Sequence, residues 1–283
     1  MCRLYTGILI LFSFFQVQAQ IEVPPMSPLF QLKGTIGFSE VEVEYSRPSA
    51  RERAVAGNLI PYGEVWRTGA NASTKISFSE DVLIEGNPVQ AGKYALYTIF
   101  REDSATIILS KNLTWWGSLG YEEADDYLRL KVKVKHPSSH YETFTISFSD
   151  FTRNSANFNM KWEHTKAMFK IESDIDSRIM QQIKDQIIDR DSDNMMAYFQ
   201  AANYYYDTNQ DAAKALVWIN KVIDNSEAEQ YWVVHAKAKI LERLGRDKEA
   251  IQVAQHSMSL AQTGGNPDYV RLNQGLIDRI MNR

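Results

Sequence analysis

The sequence predicts two domains of different class: an all-β antiparallel sandwich, jelly-roll-like in its strand count, followed by an all-α domain of helical hairpins. Three observations predict this. Polar and apolar residues alternate with period two through residues 30–172. Turn residues (Gly, Pro, Asn, Asp, Ser) separate those runs at short intervals, which favours antiparallel neighbours. Near Ser173 the apolar period lengthens to that of a helix.

The elements follow in chain order. Met1-Cys2-Arg3, the apolar run Gly7 to Phe15 and the small-residue pattern Val17-Gln18-Ala19 read as a secretory signal peptide over 1–19, cleaved near Ala19-Gln20. The run is too short to span a bilayer, so no integral membrane segment is expected after cleavage. A segment over 20–29 leads into the β domain at 30–172. Its strands are expected at Glu40 to Tyr45, Lys75 to Ser79, Asp81 to Glu85, Lys93 to Phe100, Ala105 to Leu109, Leu128 to Val134, Glu142 to Phe148, Asn157 to Trp162 and Ala167 to Glu172. Gly86-Asn87-Pro88 and Ala91-Gly92 supply turns between them. From 173 to 283 the chain reads as helices. Ile175, Ile179, Ile183, Ile187 and Ile188 fall on one helical face, with Ser173 or Asp174 as its cap. Further helices are expected at roughly 193–207, 211–224, 228–244, 246–261 and 267–282.

Composition narrows the function classes. The single cysteine, Cys2, lies inside the expected signal, so the mature chain offers no disulfide, thiolate metal site or cysteine nucleophile. The net charge is −4 with both signs interspersed, which leaves no nucleic-acid footprint. No Gly-x-Ser-x-Gly elbow, HExxH helix or phosphate-binding glycine loop is present. No metal set and no cofactor is expected.

The chemistry concentrates in Tyr45 to Asn71 (YSRPSARERAVAGNLIPYGEVWRTGAN). Arginine forks bind carboxylates and phosphates bidentately. Tryptophan and tyrosine faces stack on sugars or apolar ligands. The candidate ligand-binding residues are Tyr45, Arg47, Arg53, Tyr62, Trp66, Arg67 and Asn71. Trp116 joins them from a second glycine-bracketed loop, Trp115-Trp116-Gly117-Ser118-Leu119-Gly120. A small anionic or carbohydrate ligand fits such a set. The same arginines could equally pair with Glu64 or Asp126 and tie loops down, with Trp66 plugging the core.

Several ordered motifs resemble a bacterial family called "domain of unknown function 2911". They are Ser27-Pro28, Tyr45-Ser46-Arg47-Pro48, Arg53, Pro61-Tyr62-Gly63 and Trp66 to Asn71. They continue with Ala91 to Thr98, Trp116-Gly117, Tyr121, Asp126, Leu128-Arg129 and Trp162-Glu163. The resemblance spans residues 26–172 and implies a fold without an activity. Ala56-Gly57 and residues 102–106, which lack a tryptophan, depart from the family pattern. The helices resemble tetratricopeptide repeats: Phe199, Tyr206, Ala215 and Ile219 recur as Val234, Leu241, Ala250 and Ala254. That resemblance implies a protein or peptide partner.

The expectation is therefore an exported protein, periplasmic or secreted. It binds a ligand or partner without catalysing a reaction. The alternatives are an envelope hydrolase or isomerase using Tyr45 or Tyr62 with Arg67, and a structural scaffold.

Overall fold

The computed structural model describes residues 23–283 and divides into two compact units, one ending at Asp174 and one beginning at Ile175. The signal-peptide expectation for 1–19 lies outside the described residues.

The first unit is built of antiparallel strands. They are β1 (Leu29–Ile36), β2 (Ser39–Ser46), β3 (Val65–Trp66), β4 (Ala70–Phe78), β5 (Val82–Ile84) and β6 (Asn87–Val89). Then come β7 (Gly92–Phe100), β8 (Ser104–Ser110), β9 (Asp126–Lys135), β10 (Tyr141–Ser149), β11 (Ser155–Glu163) and β12 (Thr165–Ser173). Their hydrogen-bonded order is β1-β2-β4-β7-β8-β9-β12-β11-β10, with β3 on β7 and β5–β6 on β12. Strand β9 joins two layers, pairing with β8 along its length and with β12 only through Val134 and Lys135.

At the other end Ser49 bridges Thr143 beside β10, so the sheet nearly closes into a barrel. The inward-facing alternate residues, among them Val41, Val43, Ile76, Leu96, Ile107, Phe144, Phe158 and Phe169, form the core. Closure removes most of the exposed edge that would otherwise template association.

All nine expected strands are present. Three further ones lacked a readable pattern. In β1 the consecutive Leu29-Phe30 breaks alternation, and both residues are exposed. The others, β3 and β6, are two and three residues long. The turn expected at Gly86-Asn87-Pro88 sits one residue earlier. Glu85 and Gly86 both take positive φ, 47° and 77°, as a two-residue hairpin turn requires.

The second unit begins with α1 (Asp176–Ile183), which runs on through a π turn, Lys184–Ile188. Then follow α2 (Met195–Asp207), α3 (Ala212–Asp224), α4 (Tyr231–Arg243), α5 (Asp247–Thr263) and α6 (Pro267–Met281). Asn194, Asp211 and Asn266 cap α2, α3 and α6 by accepting backbone N–H groups. Ser173 ends β12, and the N-cap position of α1 is taken by Ile175, whose side chain makes no cap bond. Ile183 and Ile187 are buried, whereas Ile188 is exposed because the wider π turn rotates it off the apolar stripe. The recurring small residues Ala215, Ala250 and Ala254 are fully buried where neighbouring helices approach. Among the described residues no helix is long and apolar enough to cross a membrane.

Candidate functional site: a loop-covered face of the β domain

The structure distributes the sequence candidates over four places. The first is the seam of the barrel. Tyr45, at 2% exposure, accepts a hydrogen bond from Ile146 N at 3.1 Å and points its hydroxyl at Ile146 O, 3.5 Å away. Arg47 donates Nε to Phe144 O (3.2 Å) and Nη2 to Thr145 Oγ1 (2.9 Å), with its guanidinium 4.7 Å over the Phe30 ring. Phe144 N donates to Pro48 O, and Ala50 N to Glu142 O. Where β2 leaves the sheet, Tyr45 and Arg47 thus continue a ladder of bonds along the free edge of β10. Neither Arg47 nor Arg67 pairs with Glu64 or Asp126; both donate to backbone carbonyls.

Trp66 lies at one end of the core. It stacks on Trp162 (centroids 5.8 Å, planes 25° apart) and meets Phe144 edge-on at 4.9 Å. Its indole N–H donates to Gly69 O. Arg53 and Tyr62 lie on surface turns. Arg53 donates to Ala50 O and Ser49 O and lines a groove with His140, Glu142 and Glu163. The Tyr62 ring covers Gly57, where a Cβ would come within 2.8 Å of it.

The fourth place gathers Arg67, Asn71 and Trp116, the candidates that share surroundings. Strand β4 alternates Thr74, Ile76 and Phe78 into the core and Ser73 and Lys75 to the opposite face. On β7, Ala95, Tyr97 and Ile99 share that face and are buried as well. The cover is the 111–125 segment, whose Trp115 and Tyr121 pack on Tyr97 at 6.2 and 5.4 Å. Tyr97 donates its hydroxyl to Gly117 O at 3.2 Å. Gly117 itself takes φ 74°, and a Cβ there would sit 2.7 Å from Arg67 Nη1. Arg67 Nη1 donates to Asn71 O (2.7 Å), and Asn71, at φ 60°, donates Nδ2 to Ser46 Oγ and Ser27 O. Trp116 stands outside, 67% exposed.

Two cations therefore share one face. Lys75 is 9% exposed and donates to Ser73 Oγ at 2.5 Å and to Ser73 O at 3.0 Å. Burial holds its ammonium below the ordinary lysine value, and the nearby Lys93 charge adds to that. Burial also raises Tyr97, against the lowering influence of Ser73 and of the Arg67 charge. Among the described residues neither Arg67 nor Lys75 has a carboxylate within ion-pair distance, although Glu44 acts on Lys75 from farther off.

At the far side of the Tyr97–Tyr121 contact, Asp126 Oδ2 accepts from Tyr121 (2.7 Å) and Arg129 (3.0 Å), while Oδ1 is buried with no partner among the described residues. Burial raises the Asp126 carboxyl despite those two donors. Tyr121 is raised by burial and by the hydrogen bond to Asp126. Among the described residues no group of three His, Cys, Asp or Glu side chains could hold a metal ion. His136 bonds Glu102 O, and His140 lies 5.2 Å from the His164 ring.

Ser73, Lys75 and Tyr97 were missing from the sequence candidates. Their signal was the largely apolar run of β7, YALYTIF, with no alternation of polar residues, which demands cover on both faces of the sheet.

The motif order seen in the sequence is matched as a whole over residues 27–171, by the family described as protein of unknown function (DUF2911). The chain belongs to the DUF2911 family. The match takes in the seam and the loop-covered face of this DUF2911 domain and ends before the helices. No curated protein and no solved structure matches the chain.

Proposed function

We propose that this DUF2911 protein is an exported envelope protein whose β domain binds a small anion, a carboxylate or phosphate, at Arg67 and Lys75 beneath the Trp115–Gly120 loop. Its helices serve as a docking domain for a protein partner. One observation carries the ligand reading: Arg67 and the nearly buried Lys75 lie on the loop-covered face, and among the described residues neither has a carboxylate within ion-pair distance. An isolated buried charge is costly, so a fold retains one where a ligand or reaction uses it. Among the described residues Arg67 donates through Nη1 to Asn71 O, and the Tyr97 hydroxyl lies within range of its charge.

Titration calorimetry of the mature chain with inorganic phosphate and with succinate tests this. Saturable binding is expected, weakened at least ~10-fold, or ~1.4 kcal/mol, in both Arg67→Gln and Lys75→Met. Lys75→Met should leave the thermal midpoint unchanged or raised, because it removes a desolvated charge. No heat with either probe, or equal binding by the variants, overturns the site. The export reading predicts a mature N-terminus at Gln20 in a periplasmic or culture fraction. A chain retaining Met1 in the cytoplasm sinks it.

A second reading, an envelope hydrolase, is favoured by Ser73 Oγ lying 2.5 Å from Lys75 Nζ. A neutral lysine at that distance is placed to take the serine proton. Tyr45 drops out of that reading, since its hydroxyl is committed to Ile146. Labelling of Ser73 by a fluorophosphonate, abolished in Lys75→Met, would support it. An unlabelled wild type would remove it.

A further inference from the structure

The helical unit carries a cationic cavity, unrelated to the sequence block and outside the family match. It is open, about 320 Å3, and lined by Tyr206, Glu242, Arg243, Arg279 and Arg283. The lining comes from α2, α4 and α6 with Arg283, two residues beyond α6. Lys239 and Arg243 are one helical turn apart on α4, so they project from one face. Both reach the ring of Tyr206, at 4.5 and 4.1 Å from its centroid. Arg243 donates to Tyr206 O and to Asn209 Oδ1. Among the described residues neither Lys239 nor Arg243 has a carboxylate within ion-pair distance.

The acidic groups at this face are few and mostly engaged. Glu242 is buried, and both its oxygens are taken, by Arg279 at 2.8 and 2.7 Å and by Arg283 at 2.5 Å. Asp247 stands 3.8 Å from Arg283. Asp207 acts on Lys239 through charge and has an interaction of its own. Arg279 and Arg283 are each about half exposed, so their outer donors face solvent.

We infer that this cavity binds an acidic peptide segment, one carboxylate seated on Lys239 and Arg243 and a second on the outer donors of Arg279 and Arg283. The cations come from α4, from α6 and from Arg283 beyond it, rather than from one point. That spacing suits an extended chain with several carboxylates better than one compact anion. The Tyr206 ring holds the Lys239 and Arg243 head groups in place before the ligand arrives, which limits the side-chain ordering that binding would otherwise require. The inference deepens the reading of the helices as a docking domain and is independent of the Arg67 site.

The test is fluorescence anisotropy of the full mature chain with a labelled peptide of glutamate and serine, beside matched peptides of glutamine–serine and lysine–serine. The acidic peptide alone should bind, more weakly as salt rises. Lys239→Gln with Arg243→Gln should weaken it at least ~10-fold, while Arg67→Gln leaves it unchanged. Glu242→Gln should tighten it, because the two arginines lose their internal carboxylate. Circular dichroism and the thermal midpoint show whether each variant is folded. Acidic-peptide binding that survives the double substitution overturns this site and keeps the docking reading. Binding of the lysine–serine or glutamine–serine peptide instead overturns the acidic class and keeps that reading. Silence of all three peptides takes both down. Full competition by equimolar inorganic phosphate would make this a compact-anion site and overturn the peptide.

Discussion

Replacing Tyr45 by Phe isolates the hydroxyl that holds the barrel seam. The ring keeps its contacts with Phe144 and Phe30, at 5.8 and 6.4 Å, so no cavity opens. What is lost is the group that satisfies Ile146 on the edge of β10 facing away from β11. Ile146 N–H loses an acceptor at 3.1 Å and Ile146 O the hydroxyl at 3.5 Å, in a site where Ile146 and Tyr45 are both 2% exposed. A buried backbone group left unpaired costs about 1–3 kcal/mol. At roughly 2–4 °C per kcal/mol for a domain of this size, a 2 kcal/mol loss lowers the midpoint by about 4–8 °C. Differential scanning calorimetry of the mature chain reads this on the transition of the β domain. Amide exchange should quicken at Ile146, while strands β7 and β8 keep their relative protection. A midpoint lowered by less than ~1 °C with unchanged exchange at Ile146 would refute the seam argument, because a relaxed or solvated edge would then be meeting those bonds.

Three further outcomes are expected. Gly117→Ala puts a side chain at φ 74° and within 2.7 Å of Arg67 Nη1. It should cost about 1–2 kcal/mol from backbone strain alone and weaken phosphate or succinate binding, read by melting and calorimetry together. Trp116→Ala removes a ring that is 67% exposed, so stability should change by no more than ~0.5 kcal/mol. His235 donates Nδ1–H to Asn273 Oδ1, inside a buried chain that runs through Ser257 to Tyr231 O. Burial lowers its folded value below the ordinary 6.5. The unfolded chain therefore binds more protons as pH falls, and the helical unit should lose stability progressively below pH 6.5 down to the folded value. Urea midpoints across that window should fall less in His235→Gln than in the wild type.

Much of the fold was legible because local periodicity survives in long elements. Strands such as β7 and helices such as α3 bury whole faces, and Asp211 and Asn266 announce their helices by capping chemistry. The short β3 and β6 carry too few residues for a period. Within the block, sequence marked the right residue types and could not sort them. Tyr45 meets Ile146 across 101 positions of chain, and Trp66 meets Trp162 by stacking at 5.8 Å. Both contacts depend on how the barrel closes, which no local pattern encodes.

The sequence by itself determined the two classes of domain, the strand and helix phases, and the DUF2911 motif order. Those follow from side-chain chemistry at fixed spacings along one chain. Only the tertiary structure decided which polar groups find partners. It consigned Tyr45 and Arg47 to the seam, left Arg67 and Lys75 with no carboxylate in ion-pair range among the described residues, and set Arg279 and Arg283 on the one carboxylate of Glu242. The reason is physical. A charge's role depends on what desolvates and neutralises it, and those neighbours come from strands and helices distant in sequence.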